Sequence, residues 1–145
     1  MTTNSFEIET DALIQNLEQV NDFIHSHLET VECPLKAQMQ IDIAVEEIFA
    51  NIAHYAYAPG TGKARIGLSL TDEPVVLTIT FADRGVPYNP LERKDPDVTL
   101  SAQERGIGGL GIYMTKKSMD DVAYEYRDGQ NILTLKKRLN PVGKA

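Results

Sequence analysis

Residues 41–57, IDIAVEEIFANIAHYAY, constrain the fold of this chain more than any other stretch. Their apolar side chains recur at the spacing of a helix that packs one stripe against a core. The stripe consists of Ile41, Val45, Ile48 and Ile52, with Ala44 and Tyr55 beside them. The segment is therefore predicted to be a central core helix around which the rest of the domain is organised.

Three polar residues, Glu47, Asn51 and His54, lie on a neighbouring line of the same helix. Glu47 and Asn51 are four residues apart, which puts their side chains one turn from each other on one face. An amide oxygen can bind a hard cation or an ordered water, and a carboxylate can accept a proton. The pair also fits an ordinary solvated helix surface, so other parts of the chain must decide between these interpretations.

Length and composition predict one domain spanning residues 1–145, large enough to bury a core. The N-terminus has no basic region followed by an apolar one, and no run of residues is long and apolar enough to span a bilayer. The single cysteine, Cys33, cannot form an internal disulfide. We therefore expect a cytoplasmic protein. A formal charge of −7 argues against nucleic acid or an anionic membrane as the main partner.

Periodicity and turn signals predict the remaining elements. A strand is expected at residues 5–9, followed by a helix capped by Thr10 or Asp11 that runs to about residue 29. The central helix begins near residue 35, and two strands at 64–70 and 75–81 form a hairpin. A long connection at 89–105, a helix ending near 119 and a second hairpin of residues 121–127 and 131–139 follow. This order predicts an α+β two-layer sandwich, with an antiparallel or mixed sheet of about five strands covered on one face by three helices.

The connection at 89–105 leads into a glycine-rich segment, Gly106-Ile107-Gly108-Gly109-Leu110-Gly111. Glycines let the backbone approach an anion closely, and the following helix offers unpaired amides and the positive end of its dipole. No Walker lysine-threonine pair follows, and the segment does not come after the first strand of a βαβ unit. Phosphate binding and a flexible hinge before a helix both remain open, and the long connection itself is typical of a lid or of disorder.

Asp83 and Gly85 follow the strand predicted at residues 75–81. A half-buried carboxylate at a strand end needs a donor, which the exocyclic amine of a purine would supply, and Gly85 would leave room for a flat ring. An Asp-initiated turn is the alternative.

Together, Glu47-x-x-x-Asn51, Asp83-x-Gly85 and Gly109-x-Gly111 resemble, in this order, the N, G1 and G2 boxes of the GHKL ATPase/kinase superfamily. The chain is most similar to the small bacterial anti-sigma-factor serine kinases, over nearly its whole length. The resemblance implies the Bergerat-type ATP-binding fold.

The resemblance also implies roles for individual residues. Asn51 would be the Mg²⁺ ligand, Glu47 the general base, and Asp83 the acceptor of the adenine amine, with Gly85 under the ring. The remaining nucleotide contacts would come from His54 and from the segment Arg105, Gly106, Gly108, Gly109, Leu110 and Gly111. Arg105 lies farther from the second glycine box than the corresponding arginine of similar kinases, and Arg84 is another nearby cation.

The function that the resemblance implies is an ATP- and Mg²⁺-dependent serine/threonine kinase of a partner-switching system. Its substrate would be a STAS-type anti-anti-sigma factor, it would sequester a sigma factor, and it would form a homodimer. The main alternative is a nucleotide-gated binding module whose lid at residues 89–105 changes partner affinity without catalysis. The ATPase half of a histidine kinase fits less well, since no helical segment with a phospho-accepting histidine is present in this sequence. A plain α+β domain with accidental glycines is the remaining alternative.

Overall fold

A five-stranded sheet forms one layer of the molecule. The computed structural model describes residues 3–72, 74–92 and 110–139. The strands are β1 (Thr3–Asp11), β2 (Lys63–Thr71), β3 (Val76–Asp83), β4 (Asp121–Arg127) and β5 (Gln130–Arg138). They lie in the order β1-β2-β3-β5-β4, and every neighbouring pair is antiparallel. Both predicted hairpins, β2–β3 and β4–β5, are confirmed.

Three α-helices lie in the described part of the chain: α1 (Leu17–Leu28), α2 (Leu35–Asn51) and α3 (Leu110–Ser118). Their buried side chains and alternate residues of the strands form a single core. Ile41, Val45 and Ile48 of α2 are each at most 3% exposed, which confirms the predicted core stripe. The structure therefore confirms the α+β sandwich. Among the described residues, none of the helices is both long and apolar enough to cross a bilayer.

The start of α1 differs from the prediction. Thr10 and Asp11 do not cap a helix, because β1 continues through them and pairs with β2 as far as Asp11 opposite Lys63. The two side chains of that last pair form an ion pair at 2.6 Å, and Ala12 N–H donates to the carbonyl of Gly62 at 2.8 Å. A 3₁₀ turn at Ile14–Asn16 then leads into α1. Pairing with β2 gives the backbone groups of this segment hydrogen-bond partners, whereas the first N–H groups of a helix would have none within the helix.

The end of α2 also differs from a regular helix. A π-helical turn, Ile52–Ala56, follows Asn51 directly. A π turn contains more residues than an α turn, so it rotates every later side chain away from the direction that α-helical spacing predicts. Tyr55, expected beside the core stripe, is accordingly 63% exposed.

Candidate functional site

Glu47 and Asn51 of α2 contact each other beside the start of α3. The Asn51 amide Nδ2–H donates to Glu47 Oε2 at 3.1 Å. The Glu47 carboxylate also lies against Gly111, since a Cβ built on Gly111 would be 1.9 Å from Glu47 Oε1. Gly111 therefore leaves the space that the Glu47 side chain occupies. Asn51 Oδ1 has no hydrogen-bond partner among the described residues, and so it is available to a ligand.

Asp83 is the last residue of β3, a strand paired on both sides by β2 and β5. It is only 6% exposed. Its Oδ1 accepts two hydrogen bonds at 2.9 Å, from Gly85 N–H and from Asn131 Nδ2–H. Its Oδ2 has no partner in the described part of the chain. The Asp-initiated turn considered from the sequence is thus present, and the role of Asp83 as acceptor of a purine amine stays a prediction.

The turn after Asp83 is packed tightly on the π-helical turn. A Cβ on Gly85 would lie 2.1 Å from the Ala56 carbonyl oxygen, and Val86 N–H donates to that oxygen at 2.9 Å. The close approach of the Ala56 backbone therefore requires a glycine at position 85. This reason differs from the one predicted from the sequence, which was room for a flat ring.

Tyr57 fixes the same turn from the other side. Its hydroxyl accepts from Arg84 N–H at 2.8 Å and donates to the carbonyl of Lys63 at 2.6 Å. Burial, together with the negative charge of Asp83, raises the pKa of Tyr57 above its ordinary value, against the lowering effect of the Arg84 amide. The hydroxyl is therefore protonated at neutral pH and able to donate.

A cavity of about 370 Å³ lies between the end of α2, β3 and β5. Its walls are largely apolar, and its polar members include Asn51, Asp83 and Asn131. The apolar and aromatic lining comprises Ile48, Ile52, Tyr55, Ala56, Phe81, Val86, Pro87, Tyr88, Pro90, Tyr124 and Leu133. An apolar cavity with a few convergent polar groups is typical of a small-molecule site.

Asn131 belongs to this site and was not predicted. It is 7% exposed on β5, on the face that also carries Leu133 and Leu135. Its Nδ2 donates to Asp83 Oδ1 and to the carbonyl of Val86, each at 2.9 Å. The signal that could have found it is the alternation of β5, which places one amide among apolar residues on the buried face.

His54 is exposed and does not line the cavity. The π-helical turn explains this position, since its extra residue brings Tyr55 to the cavity wall beyond Asn51. Thr134 pairs with Thr80 on the face of the sheet opposite Leu133 and Leu135.

The glycine-rich segment is described only from Leu110, which begins α3 and is 37% exposed. Arg105, Gly106, Gly108, Gly109 and most of the predicted lid at residues 89–105 lie outside the described residues. The described part of the chain has no group of three or more His, Cys, Asp or Glu side chains that could hold a metal ion. Asn51 Oδ1 is a hard oxygen donor that fits Mg²⁺ only when phosphate oxygens or water complete the coordination.

Sheet order, helix packing and this cavity define an α+β domain with a small-molecule type of site. The family model described as histidine kinase-like ATPase domain matches residues 10–137. The chain therefore belongs to the histidine kinase-like ATPase domain family.

Similar proteins carry more specific names. The serine/threonine-protein kinase BtrW of Bordetella bronchiseptica is 29% identical over 100 residues, which cover 69% of this chain and 70% of that protein. The serine-protein kinase RsbW of Listeria monocytogenes is 28% identical over 100 residues, or 66% of this chain and 63% of that protein. The anti-sigma F factor of Bacillus licheniformis is 22% identical over 122 residues, or 84% and 83% of the two chains.

The fold is also seen in a solved structure. The crystal structure of the RsbU and RsbW domains of Rv1364c from Mycobacterium tuberculosis superimposes with a TM-score of 0.66 at 16% identity. The match covers 97% of this chain but spans only 34% of that longer chain.

Proposed function

We propose that this protein is an ATP- and Mg²⁺-dependent serine/threonine kinase of a bacterial partner-switching system. The observation that carries the proposal is the junction of α2 and α3, where Glu47 is held by Asn51 and lies against Gly111. Asn51 also lines the cavity that contains Asp83. A carboxylate able to accept a proton thus lies next to a pocket suited to a purine. The kinases named among the relatives support the same activity.

The adenine ring would occupy the cavity. Ile48, Phe81 and Leu133 offer apolar surface to a flat ring. Asp83 Oδ2, which has no partner among the described residues, would accept from the exocyclic amine. A charged acceptor buried in an apolar pocket discriminates strongly, because it loses its water when a ligand without a donor enters. The hydrogen bond from the adenine amine to Asp83 would therefore supply most of the specificity for adenine.

The phosphates would extend from the cavity past Asn51 to the first turn of α3. Asn51 Oδ1 would hold Mg²⁺, and that ion when bound would neutralise phosphate charge. The amides at the start of α3, with Leu110 and Gly111, and the positive end of the helix dipole would face the terminal phosphates. Gly106, Gly108, Gly109, Arg105 and His54 remain proposed nucleotide contacts on the basis of the family resemblance.

Glu47 would act as the general base. Its carboxylate accepts the proton of a substrate serine hydroxyl while the hydroxyl oxygen attacks the γ-phosphorus, and the bond from that phosphorus to the β,γ-bridging oxygen breaks to release ADP. The hydrogen bond from Asn51 occupies Oε2 and orients the carboxylate, leaving Oε1 for the incoming hydroxyl. Phosphoryl transfer requires mainly positioning and charge neutralisation, which these groups supply.

The substrate would be a serine of a STAS-type anti-anti-sigma protein, and the unphosphorylated partner would compete with a sigma factor for binding. The anti-sigma F factor among the relatives supports this assignment. We further propose that the protein acts in the cytoplasm as a homodimer.

Transfer of ³²P from [γ-³²P]ATP to a cognate STAS partner, with mapping of the phosphorylated serine, tests the proposal. Glu47→Gln is expected to bind MgATP like the wild type but to transfer phosphate about 10²–10⁴-fold more slowly. Glu46→Gln, a change at the exposed neighbouring carboxylate, is the matched control and should be unaffected. Undiminished transfer by Glu47→Gln would remove Glu47 from the mechanism. Nucleotide-dependent partner binding without transfer would favour the gated binding module.

A further inference from the structure

We propose that Asn131 is a positioning residue that makes the site selective for a purine with an amine at C6, such as adenine. It would do so by fixing the Asp83 carboxylate, without a hydrogen bond of its own to the nucleotide. This inference rests on the proposed function and adds a specificity determinant to it.

Asn131 has all of its hydrogen-bonding capacity in use inside the protein. Its two amide hydrogens go to Asp83 Oδ1 and the Val86 carbonyl, both at 2.9 Å. Its Oδ1 accepts from Tyr88 N–H at 3.0 Å and from the Tyr124 hydroxyl. An amide has two donors and two acceptor lone pairs, so no group on this side chain remains free for a ligand.

As a consequence, the two carboxylate oxygens of Asp83 differ in their hydrogen bonding. Oδ1 is saturated by the Asn131 amide and Gly85 N–H. Oδ2 has no partner among the described residues, and Asp83 lines the cavity. Because both donors bind the same oxygen, the carboxylate cannot rotate without losing them, and Oδ2 is presented as an acceptor only. A ligand must bring an N–H to this point, while a carbonyl oxygen such as that of guanine would be repelled.

Asn131 holds the cavity wall with the same side chain. Val86, Pro87 and Tyr88 line the cavity, and Asn131 binds the carbonyl of the first and the amide of the third. Asn131 therefore fixes the position of the cavity wall formed by residues 86–88 relative to the Asp83 carboxylate. The Tyr124 hydroxyl completes this arrangement, and burial raises the pKa of Tyr124, which keeps its proton available for the bond to Asn131.

A ligand series separates this role from a merely structural one. Dissociation constants are measured in the presence of Mg²⁺ for ATP, for purine riboside triphosphate, which lacks only the exocyclic amine, and for inorganic triphosphate. The wild type should prefer ATP to purine riboside triphosphate about tenfold or more. In Asn131→Ala that preference should fall about tenfold, while the affinity for inorganic triphosphate changes less than about twofold.

Tyr124→Phe removes one support of Asn131 and covers the case in which Asn131→Ala does not fold. Its preference for ATP should fall about threefold. Tyr126→Phe is the matched control, because Tyr126 lies on the same strand, is 47% exposed, and its hydroxyl has no hydrogen bond to a described residue; its preference should not change.

If Asn131→Ala weakened the binding of ATP and of purine riboside triphosphate equally, the inference would be overturned. An unchanged preference for ATP over purine riboside triphosphate in Tyr124→Phe would overturn it too. Either result would leave the proposed function standing. Failure of the wild-type protein to bind ATP would overturn the proposed function with it.

Discussion

Gly111→Ala is expected to impair catalysis far more than it lowers the stability of the fold. The new Cβ would lie 1.9 Å from Glu47 Oε1, 2.5 Å from Cδ and 2.8 Å from Cγ. Ordinary van der Waals contact begins near 3.4 Å, so Oε1 must move by about 1.5 Å. The obstacle is the end of a flexible side chain, and it can rotate away only by breaking the 3.1 Å hydrogen bond to Asn51.

The free energy of unfolding follows from three contributions. An altered Glu47 rotamer costs about 0.5–1.5 kcal/mol, and the lost hydrogen bond about 0.5–1.5 kcal/mol. Replacing glycine by alanine inside α3 returns about 0.5–1 kcal/mol of helix propensity. The net destabilisation should therefore lie between about 0 and 2.5 kcal/mol. Displacing a general base by more than 1 Å, in contrast, should slow phosphoryl transfer about 100-fold.

The assays are urea denaturation for stability, calorimetry for MgATP affinity, and single-turnover ³²P transfer for the chemical step. The double variant Glu47→Gln/Gly111→Ala completes a cycle. If Gly111→Ala acts through Glu47, the double variant should be no slower than Glu47→Gln. Rate losses that multiply in the double variant would show that Gly111 acts independently of Glu47 and would refute the reasoning.

The remaining predictions concern the turn after Asp83. In Gly85→Ala the new Cβ would lie 2.1 Å from the Ala56 carbonyl oxygen, a backbone atom that cannot rotate away as the Glu47 side chain can. The substitution should lower the free energy of unfolding by about 3 kcal/mol in urea denaturation. A loss no greater than that of Gly111→Ala would contradict this difference between backbone and side-chain obstacles. Tyr57→Phe removes the hydrogen bonds to Arg84 and Lys63 and should cost about 1–3 kcal/mol, measured the same way. The pKa of Tyr57 is raised by burial in the folded state, so the folded protein holds this proton more tightly than the unfolded chain. The resulting stabilisation is present below pH about 10 and is lost as the pH rises through the higher folded-state value. Stability curves of the wild type and Tyr57→Phe should therefore converge at alkaline pH, and a constant difference would contradict the assignment.

The regular elements of this fold are readable from local pattern. The α2 stripe of Ile41, Val45 and Ile48 repeats with each turn, and all three side chains are buried. The hairpins follow from turn residues between alternating segments; Asp128 and Gly129 adopt φ angles of 54° and 75°, as the second hairpin requires. Residue type and order along the chain predict Glu47, Asn51 and Asp83 as site residues, and the structure brings Asn51 and Asp83 to one cavity.

The features that local pattern does not reveal all depend on tertiary contacts. Whether Thr10 and Asp11 continue a strand or cap a helix is decided by the length of β2 beside them. The π-helical turn that moves His54 away from the cavity has no residue signature, and it coincides with the packing of the Gly85 turn on Ala56. Asn131 is distant in sequence from Asp83, so its role is visible only when β3 and β5 are paired.

Calorimetric titration of MgATP into the wild type, Asp83→Asn and the exposed control Asp121→Asn tests the central claim most directly. The donors Gly85 N–H and Asn131 Nδ2–H would hold the new amide oxygen, which turns the new NH₂ group toward the adenine amine. The account predicts one-to-one binding by the wild type and the control, and at least about tenfold weaker binding by Asp83→Asn. No heat with the wild type, or equal affinity in Asp83→Asn, would contradict it.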